Sequence, residues 1–368
     1  MVRKYNFTIL RIALCLFIIL SVSHISLAQN GKIVWDRIDS PSLEGNLLGD
    51  SARRSFAVYL PHDYETSDKS YPSFYMLHGY GGNAGGSVDS IRSSMDNMIK
   101  SGRIVEMIAV FVDGNNKYSG SFYHSSVAIG DYEGYITRDI IEYVDSKYRT
   151  IPHRRCRGIT GHSMGGHGSM YLAIKYPDVF SVVVSQGGFY ENNGEWMRNL
   201  VRGTAAVEPE DWGDMNSLFW MTTAAYGYLA GTSPDPDNPP FFVARPYEKI
   251  NGKIQEVPEI MDKWLNTGIV DGELDRYLQK PYQLEAIKII HGRSDSIVSV
   301  KEAQTLDQVM TERGIEHIYE EHTGGHEFYA DKSIQFLSDN LLFEMPEELV
   351  ITSIDRKNKL ASTWAEVK

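Results

Sequence analysis

The sequence predicts an α/β protein built on a mostly parallel sheet that helices cover on both faces. Strand-like and helix-like segments alternate along residues 53–343, an order typical of parallel sheets. Several strand-like segments are short and wholly apolar, as expected of strands buried on both faces. Hydrophobic residues make up 42% of the chain and charged residues 23%, which is typical of globular proteins and excludes a disordered chain or a multi-span membrane protein.

Side-chain periodicity assigns the individual elements. Apolar residues at alternate positions, such as Phe56 and Val58, indicate a strand. Apolar residues at helical spacing, such as Tyr132, Ile136 and Ile140, indicate a helix. The predicted strands are 53–60, 73–77, 105–112, 157–160, 180–185, 286–290 and 316–321, and the predicted helices are 131–148, 164–176, 299–313 and 330–343.

A long segment, residues 190–285, interrupts this alternation. It holds the Pro-rich run 234–240 and many aromatic residues, a composition unlike that of a disordered linker. We expect a folded insertion that forms a cap over the functional site; the alternative is an appendage elsewhere on the sheet. The expected organisation is a signal peptide at 1–28, the core at 29–189, the insertion at 190–285, the second part of the core at 286–345 and a C-terminal tail at 346–368.

The N-terminus has the features of a secretory signal peptide. Three cations precede an uncharged stretch, residues 12–28, that ends in small residues at Ser26 and Ala28, the positions that signal peptidase reads. We therefore expect export to the periplasm or out of the cell, with no stable membrane insertion after cleavage. An uncleaved anchor is the alternative.

The charge balance and the cysteine count narrow the function classes. The 36 basic and 48 acidic residues give a net charge of −12, and loss of the three signal-peptide cations shifts it to −15. Nucleic acid is therefore not an expected partner, because phosphate binding needs a basic face. The signal peptide also carries one of the two cysteines, so the remaining Cys156 has no partner for an internal disulfide.

A candidate nucleophile lies in Gly161-His162-Ser163-Met164-Gly165, which fits the pattern G-x-S-x-G. The match alone is weak, but it falls between a predicted strand and a predicted helix. That setting produces a sharp turn that exposes the serine hydroxyl at the carboxyl edge of the sheet. Ser163 is therefore the predicted nucleophile. The alternative is a serine in a Gly-rich turn that has no catalytic role.

A serine hydroxyl needs a positioned base and an orienting carboxylate, which in this architecture follow it in the order acid, then histidine. Asp295 follows the predicted strand 286–290, and it is a better acid than Asp271 in the insertion or Asp307 in a helix. His326 follows the last predicted strand through Gly324-Gly325, with His322 as the alternative base. Because the glycines break the helix that an i, i+4 ligand pair needs, we expect no metal here.

The same chemistry needs backbone N–H groups that stabilise the negative oxygen of the tetrahedral intermediate. The residue after the nucleophile, Met164, supplies one candidate amide. The second is expected from the Gly-rich loop His78-Gly79-Tyr80-Gly81-Gly82 after an early buried strand, where Tyr80 holds the donor position. An ordinary glycine turn is the alternative interpretation of this loop.

These motifs together resemble the "Putative esterase" (esterase D-like) family of α/β hydrolases, and most closely the feruloyl esterases of xylan-degrading systems. S-formylglutathione hydrolases and mycolyltransferases are more distant relatives. The resemblance covers about residues 50–190 and 285–343, without the insertion. It implies the α/β-hydrolase fold, a triad of Ser163, Asp295 and His326, and no cofactor. Tyr123 lies where relatives have a substrate-side loop, so Tyr123 and His162 are candidate substrate contacts; a surface aromatic is an equal alternative for Tyr123.

The leading functional hypothesis is a secreted serine esterase that removes acyl groups, feruloyl or acetyl, from carbohydrate. The alternative is an acyltransferase of the mycolyltransferase kind, in which a sugar replaces water as the acyl acceptor. A peptidase of the prolyl-oligopeptidase type is disfavoured because it needs a large N-terminal propeller. A non-catalytic binding module would be expected to lack one of the three triad residues. The expected partner is a small-molecule or carbohydrate ester, and the oligomeric state stays open.

Overall fold

The structure, a computed structural model, describes residues 30–346. The predicted signal peptide at 1–28 and nearly all of the predicted tail at 346–368 lie outside this range. No helix within residues 30–346 combines the length and the hydropathy needed to cross a bilayer.

A single sheet of eight strands organises the fold, and its mostly parallel character confirms the prediction. β2 runs antiparallel to both of its neighbours, and all other neighbouring strands are parallel. The spatial order is β1-β2-β4-β3-β5-β6-β7-β8. The strands are β1 (Lys32–Asp39), β2 (Arg53–Leu60), β3 (Ser73–Leu77), β4 (Ile108–Val112), β5 (Arg157–His162), β6 (Val182–Gln186), β7 (Ala286–Gly292) and β8 (Ile318–His322).

Within residues 30–346, ten helical segments accompany the sheet, apart from three short 3-10 turns. The second of them, residues 132–147, is interrupted by a π-helical stretch, Tyr135–Ile140, and the eighth joins a π-helical stretch to a short α-helix. The segments are α1 (Val88–Lys100), α2 (132–147), α3 (Met164–Lys175), α4 (Glu195–Gly203), α5 (Trp212–Ser217), α6 (Trp220–Thr232), α7 (Pro258–Leu265), α8 (269–277), α9 (Val300–Glu312) and α10 (Ala330–Asn340).

Both faces of the sheet are buried. In β3, Tyr75 and Leu77 belong to the larger apolar core, whereas Phe74 and Met76 belong to the smaller one on the opposite face. This alternation follows from the two-residue repeat of a strand. The larger core also takes in much of the insertion, so the insertion packs on the same face of the sheet as α2 and α3.

The elements that were not predicted include β1 and α1 of the core and the individual helices and hairpin of the insertion. The misses of β1 and α1 each have a physical reason. β1 is an edge strand in which exposed charged residues mask the apolar alternation. α1 carries Val88, Ile91, Met95 and Met98 on one buried face, a helical spacing that the sequence does contain. The serines and glycines around α1 make this helical spacing of apolar residues harder to recognise in the sequence. The predicted elements otherwise agree with the structure to within about three residues at their ends.

The insertion is folded throughout. Its helices α4 to α8 are joined by short connections and by a small hairpin of Tyr247–Ile250 and Lys253–Glu256. The longest of them, α6, is buried along most of its length, and it carries the small residues Gly227 and Gly231 where it crosses the loop after β4. Close packing of this kind places one end of the insertion beside the carboxyl ends of the sheet strands.

Candidate active site

Ser163 lies on a sharp turn between β5 and α3. Its backbone has φ +60° and ψ −120°, a conformation that a non-glycine residue adopts only when its surroundings enforce it. The Ser163 N–H donates to the carbonyl of Gln186 at the end of β6, at 2.9 Å. A Cβ on Gly165 would lie 2.1 Å from the carbonyl oxygen of Leu77, so glycine is required where α3 begins. The turn therefore has the geometry of a nucleophile elbow.

Asp295 and His326 form a hydrogen-bonded pair at the same edge of the sheet. His326 Nδ1 donates to Asp295 Oδ2 at 2.6 Å. Asp295 Oδ1 accepts the backbone N–H groups of Ile297 and Val298 at 2.8 and 2.9 Å. Asp295 follows β7 and His326 follows β8, and these parallel strands end side by side. The structure therefore gives the imidazole one fixed orientation.

His291 is a supporting residue that the sequence analysis missed. Its ring is fully buried at the end of β7, with Nε2 at 3.3 Å from Asp295 Oδ2 and 3.1 Å from the carbonyl oxygen of Val298. Burial raises the pKa of Asp295, but the hydrogen bonds from His291, His326 and the two backbone amides outweigh it and hold the pKa well below its usual range. The sequence feature that could have indicated this supporting role is the i, i+4 spacing of His291 and Asp295.

The ring of His326 faces the nucleophile turn. Its centroid lies 4.5 Å from that of the His162 ring, with the two rings tilted by 47°, and it lies against Gly187. Within residues 30–346 no direct hydrogen bond joins the Ser163 hydroxyl to His326. Catalytic hydrogen bonds are often long before substrate binds, so this arrangement is compatible with a nucleophile and its base.

The alternative acids and base make their bonds elsewhere. Asp271 accepts the N–H of Asn192, and Asp307 contacts His317 at 2.9 Å. His322 Nδ1 accepts the N–H of Gly324 at 3.2 Å. Of these candidates, Asp295 and His326 bond to each other, and the His326 ring lies against His162, the residue before Ser163.

The Gly-rich loop after β3 lies against the nucleophile. A Cβ on Gly79 would lie 3.5 Å from Ser163 Cβ. The backbone N–H groups of Tyr80 and Met164 donate to no acceptor within residues 30–346. His78 fixes the loop, because its Nδ1 is 2.8 Å from the carbonyl of Gly79 and its Nε2 accepts the N–H of Gly114 at 2.9 Å. Within the described residues these two amides keep their N–H groups free, so they stay the candidate donors of an oxyanion hole.

Tyr123 is not a substrate contact, contrary to one sequence-based interpretation, and it is not a surface aromatic either. Its side chain is fully buried, and its hydroxyl donates to the carbonyl of His78 at 2.8 Å. The ring packs against Gly114 and Gly168, where any Cβ would collide with it. Tyr123 therefore supports the Gly-rich loop through its hydrogen bond to His78, the first residue of that loop.

His162 also lies outside the cavity that borders Ser163. Burial and the neighbouring His326 lower the pKa of its imidazole to about 3, so the ring is neutral near pH 7. It packs between His326 and Phe328. The ring therefore packs beside the predicted base, and a role of His162 as a substrate contact stays a prediction.

A narrow apolar cavity opens beside Ser163. Its volume open to water is small, about 40 Å³. The core contributes residues from the Gly-rich loop, the nucleophile turn and the loops after β4, β6 and β7, and the insertion contributes the remaining wall. The insertion residues are Trp196, Met197, Leu200, Trp220, Met221, Ala224 and Tyr228. None of them was singled out as a site residue from the sequence, because no motif marks them.

One group of potential metal ligands lies away from this site. His62, Asp63 and Glu106 come close enough together to share an ion. Lys69 already supplies a cation there, with its Nζ at 2.8 Å from Asp63 and 3.0 Å from Glu106. The group is therefore a charge-compensated surface cluster.

The sheet order, the elbow and the Asp–His pair define an α/β hydrolase of the serine type. The "Putative esterase" family model matches residues 51–332, and the chain belongs to this family. It is therefore an ester hydrolase, and the resemblance noted from the sequence is confirmed.

Two curated relatives and one solved structure illustrate the range of the family. "Esterase MT1326" of Mycobacterium tuberculosis is 29% identical over 137 residues, 36% of this chain but only 28% of that protein. "Acetyl esterase" of Caldicellulosiruptor saccharolyticus is 24% identical over 270 residues, 72% of this chain and 80% of that protein. A solved "ferulic acid esterase" shares the fold, with a TM-score of 0.54 and 19% identity over 86% of this chain and 99% of its own.

Proposed function

We propose that the protein is an exported esterase that removes short acyl groups from carbohydrate through an acyl-enzyme on Ser163. The observation that carries this proposal is the bond from His326 to a buried, ionised Asp295 beside the strained turn of Ser163. Export is proposed on the N-terminal segment described from the sequence. The carbohydrate is proposed from the relatives and from the exposed aromatic residues at the site.

The proposed reaction has two half-reactions. His326 Nε2 accepts the proton of the Ser163 hydroxyl as Oγ attacks the ester carbonyl carbon, and the amides of Tyr80 and Met164 stabilise the resulting oxyanion. The bond to the alkoxy oxygen then breaks, and His326 returns the proton to that oxygen, which leaves as the alcohol. A water molecule, deprotonated by His326, attacks the acyl-enzyme, and the carboxylic acid and free Ser163 are released.

The size of the cavity favours a small acyl group such as acetyl. An apolar space of about 40 Å³ suits a methyl group beyond the carbonyl carbon. A feruloyl group, with an aromatic ring and a methoxy substituent, requires that the insertion wall move outwards. We therefore propose that the insertion acts as a cap that selects the acyl group.

Substitution of Ser163 by Ala tests the proposal. Because no other hydroxyl occupies the elbow, Ser163→Ala is expected to lower kcat on p-nitrophenyl acetate by at least about 10³-fold, with the fold intact by circular dichroism. Ser146→Ala, an exposed serine of α2, is the matched control and keeps wild-type activity. Retention of turnover in Ser163→Ala contradicts the proposal.

A further inference from the structure

A second depression borders the candidate active site on the far side of the Gly-rich loop. This groove is a shallow depression of about 460 Å³ that is open to solvent. It is lined by Tyr80, Gly81, Ser119, Asn216, Leu218, Trp220 and Thr223. We propose that it binds the sugar ring of the alcohol half of the ester, an inference that rests on the proposed function.

The groove and the cavity share one wall. Tyr80 and Trp220 line both, and their rings lie 6.0 Å apart at an interplanar angle of 32°. The amide of Tyr80 is one of the two candidate oxyanion donors. We place the alcohol half in the groove because Tyr80 and Trp220 border both the groove and the cavity proposed for the acyl group. The groove lies on the opposite side of the wall formed by Tyr80 and Trp220 from the apolar cavity.

The chemistry of the groove differs from that of the cavity. Its lining contains amide and hydroxyl groups but no charged residue. Trp220 is 43% exposed, and the adjacent Phe219 is 65% exposed, although large aromatic side chains are usually buried. Flat apolar faces beside neutral hydrogen-bonding groups suit a neutral polyol, whose C–H faces pack on the rings and whose hydroxyls bond to the polar groups.

The groove is largely preorganised. Ser119 accepts the N–H of Gly81 at 2.8 Å, which ties one side of the groove to the Gly-rich loop. Thr223 donates to the carbonyl of Met215 at 3.1 Å, which ties α6 to α5. Asn216 on α5 is exposed, and its side-chain amide makes no hydrogen bond within residues 30–346. That amide is available to a ligand without the loss of a protein bond.

The test compares three acetate esters that differ only in the alcohol: a mono-acetylated methyl xylopyranoside, ethyl acetate and phenyl acetate. Asn216→Ala is expected to lower kcat/KM for the sugar ester about fivefold, the typical value of one hydrogen bond, and to change the other two less than twofold. The matched control is Asn199→Ala, an exposed asparagine that lines neither the cavity nor the groove. It is expected to leave all three rates unchanged.

The outcomes separate this inference from the proposed function. The groove does not bind the sugar if Asn216→Ala slows all three esters equally, slows phenyl acetate most or leaves the sugar ester unaffected. In each of these cases, hydrolysis of ethyl acetate that depends on Ser163 still supports the proposed esterase. If Ser163→Ala hydrolyses ethyl acetate at the wild-type rate, the proposed function itself is wrong. A selective loss on the sugar ester supports the inference.

Discussion

The sheet core and the insertion meet at the candidate active site, and they contribute to it in different ways. The core places Ser163, Asp295 and His326 by backbone geometry, at the carboxyl ends of β5, β7 and β8. The insertion contributes side chains alone, mostly aromatic and aliphatic, that wall the cavity. We therefore expect the chemistry to depend on close backbone contacts and substrate selection to depend on side-chain volume.

The largest expected effect comes from adding one methyl group to the backbone of the elbow. In Gly165→Ala the new Cβ would lie 2.1 Å from the carbonyl oxygen and 2.6 Å from the carbonyl carbon of Leu77. Backbone atoms of two packed elements cannot move apart cheaply, so we expect a loss of more than about 4 kcal/mol in the free energy of unfolding, or no soluble protein. Urea unfolding monitored by fluorescence measures this loss.

The same substitution in the insertion provides the control. Gly203, at the end of α4, has φ −59°, and a Cβ there would meet nothing within 4 Å. Gly203→Ala is expected to leave stability unchanged or to raise it by about 0.5–1 kcal/mol. Equal losses in the two variants would show that the elbow is no more tightly packed than the insertion.

A buried carboxylate joins the two regions. Glu302, in the first turn of α9, is almost fully buried and accepts the N–H groups of Tyr190 and Glu191 at 3.0 and 3.3 Å, where the insertion begins. Burial raises the pKa of Glu302 to about 7; the two backbone hydrogen bonds oppose this effect and the nearby Glu191 adds to it. The ionised form is therefore disfavoured in the folded protein relative to the unfolded chain.

The raised pKa of Glu302 predicts how stability changes with pH. Its contribution is complete below the unfolded pKa of about 4.3 and is lost as the pH rises through about 7, a total of roughly 3 kcal/mol. Glu302→Gln removes this loss and keeps an acceptor, so the variant should gain roughly 3 kcal/mol on the wild type between pH 4.5 and pH 8. Urea midpoints across that range measure the gain. The exposed Glu312→Gln on the same helix should show no such gain, and a constant Glu302→Gln difference would contradict the assignment.

The core and its triad candidates could be predicted because glycine, serine, aspartate and histidine at strand ends carry a local signal. The elbow and the Asp295–His326 pair follow from turn chemistry that is written into a few neighbouring residues. The position of Tyr123 could not be predicted, because a buried aromatic and a surface aromatic look alike in one sequence. The cavity wall could not be predicted either, because the tertiary packing of α4 and α6 decides which aromatic residues face Ser163.

The smallest expected effect concerns that wall. Trp196 on α4 lines the cavity and packs at 5.7 Å from Phe189, so Trp196→Ala should enlarge the space for the acyl group. We expect the ratio of kcat/KM for methyl ferulate to kcat/KM for methyl acetate to rise about tenfold. Pocket contacts of this size discriminate between two substrates by about 1–3 kcal/mol. Trp212→Ala is the control, since Trp212 packs on Tyr118 and Phe241 and does not line the cavity. If both variants shift the ratio equally, the change reflects general loosening of the insertion, and acyl selection does not depend on the volume beside Trp196.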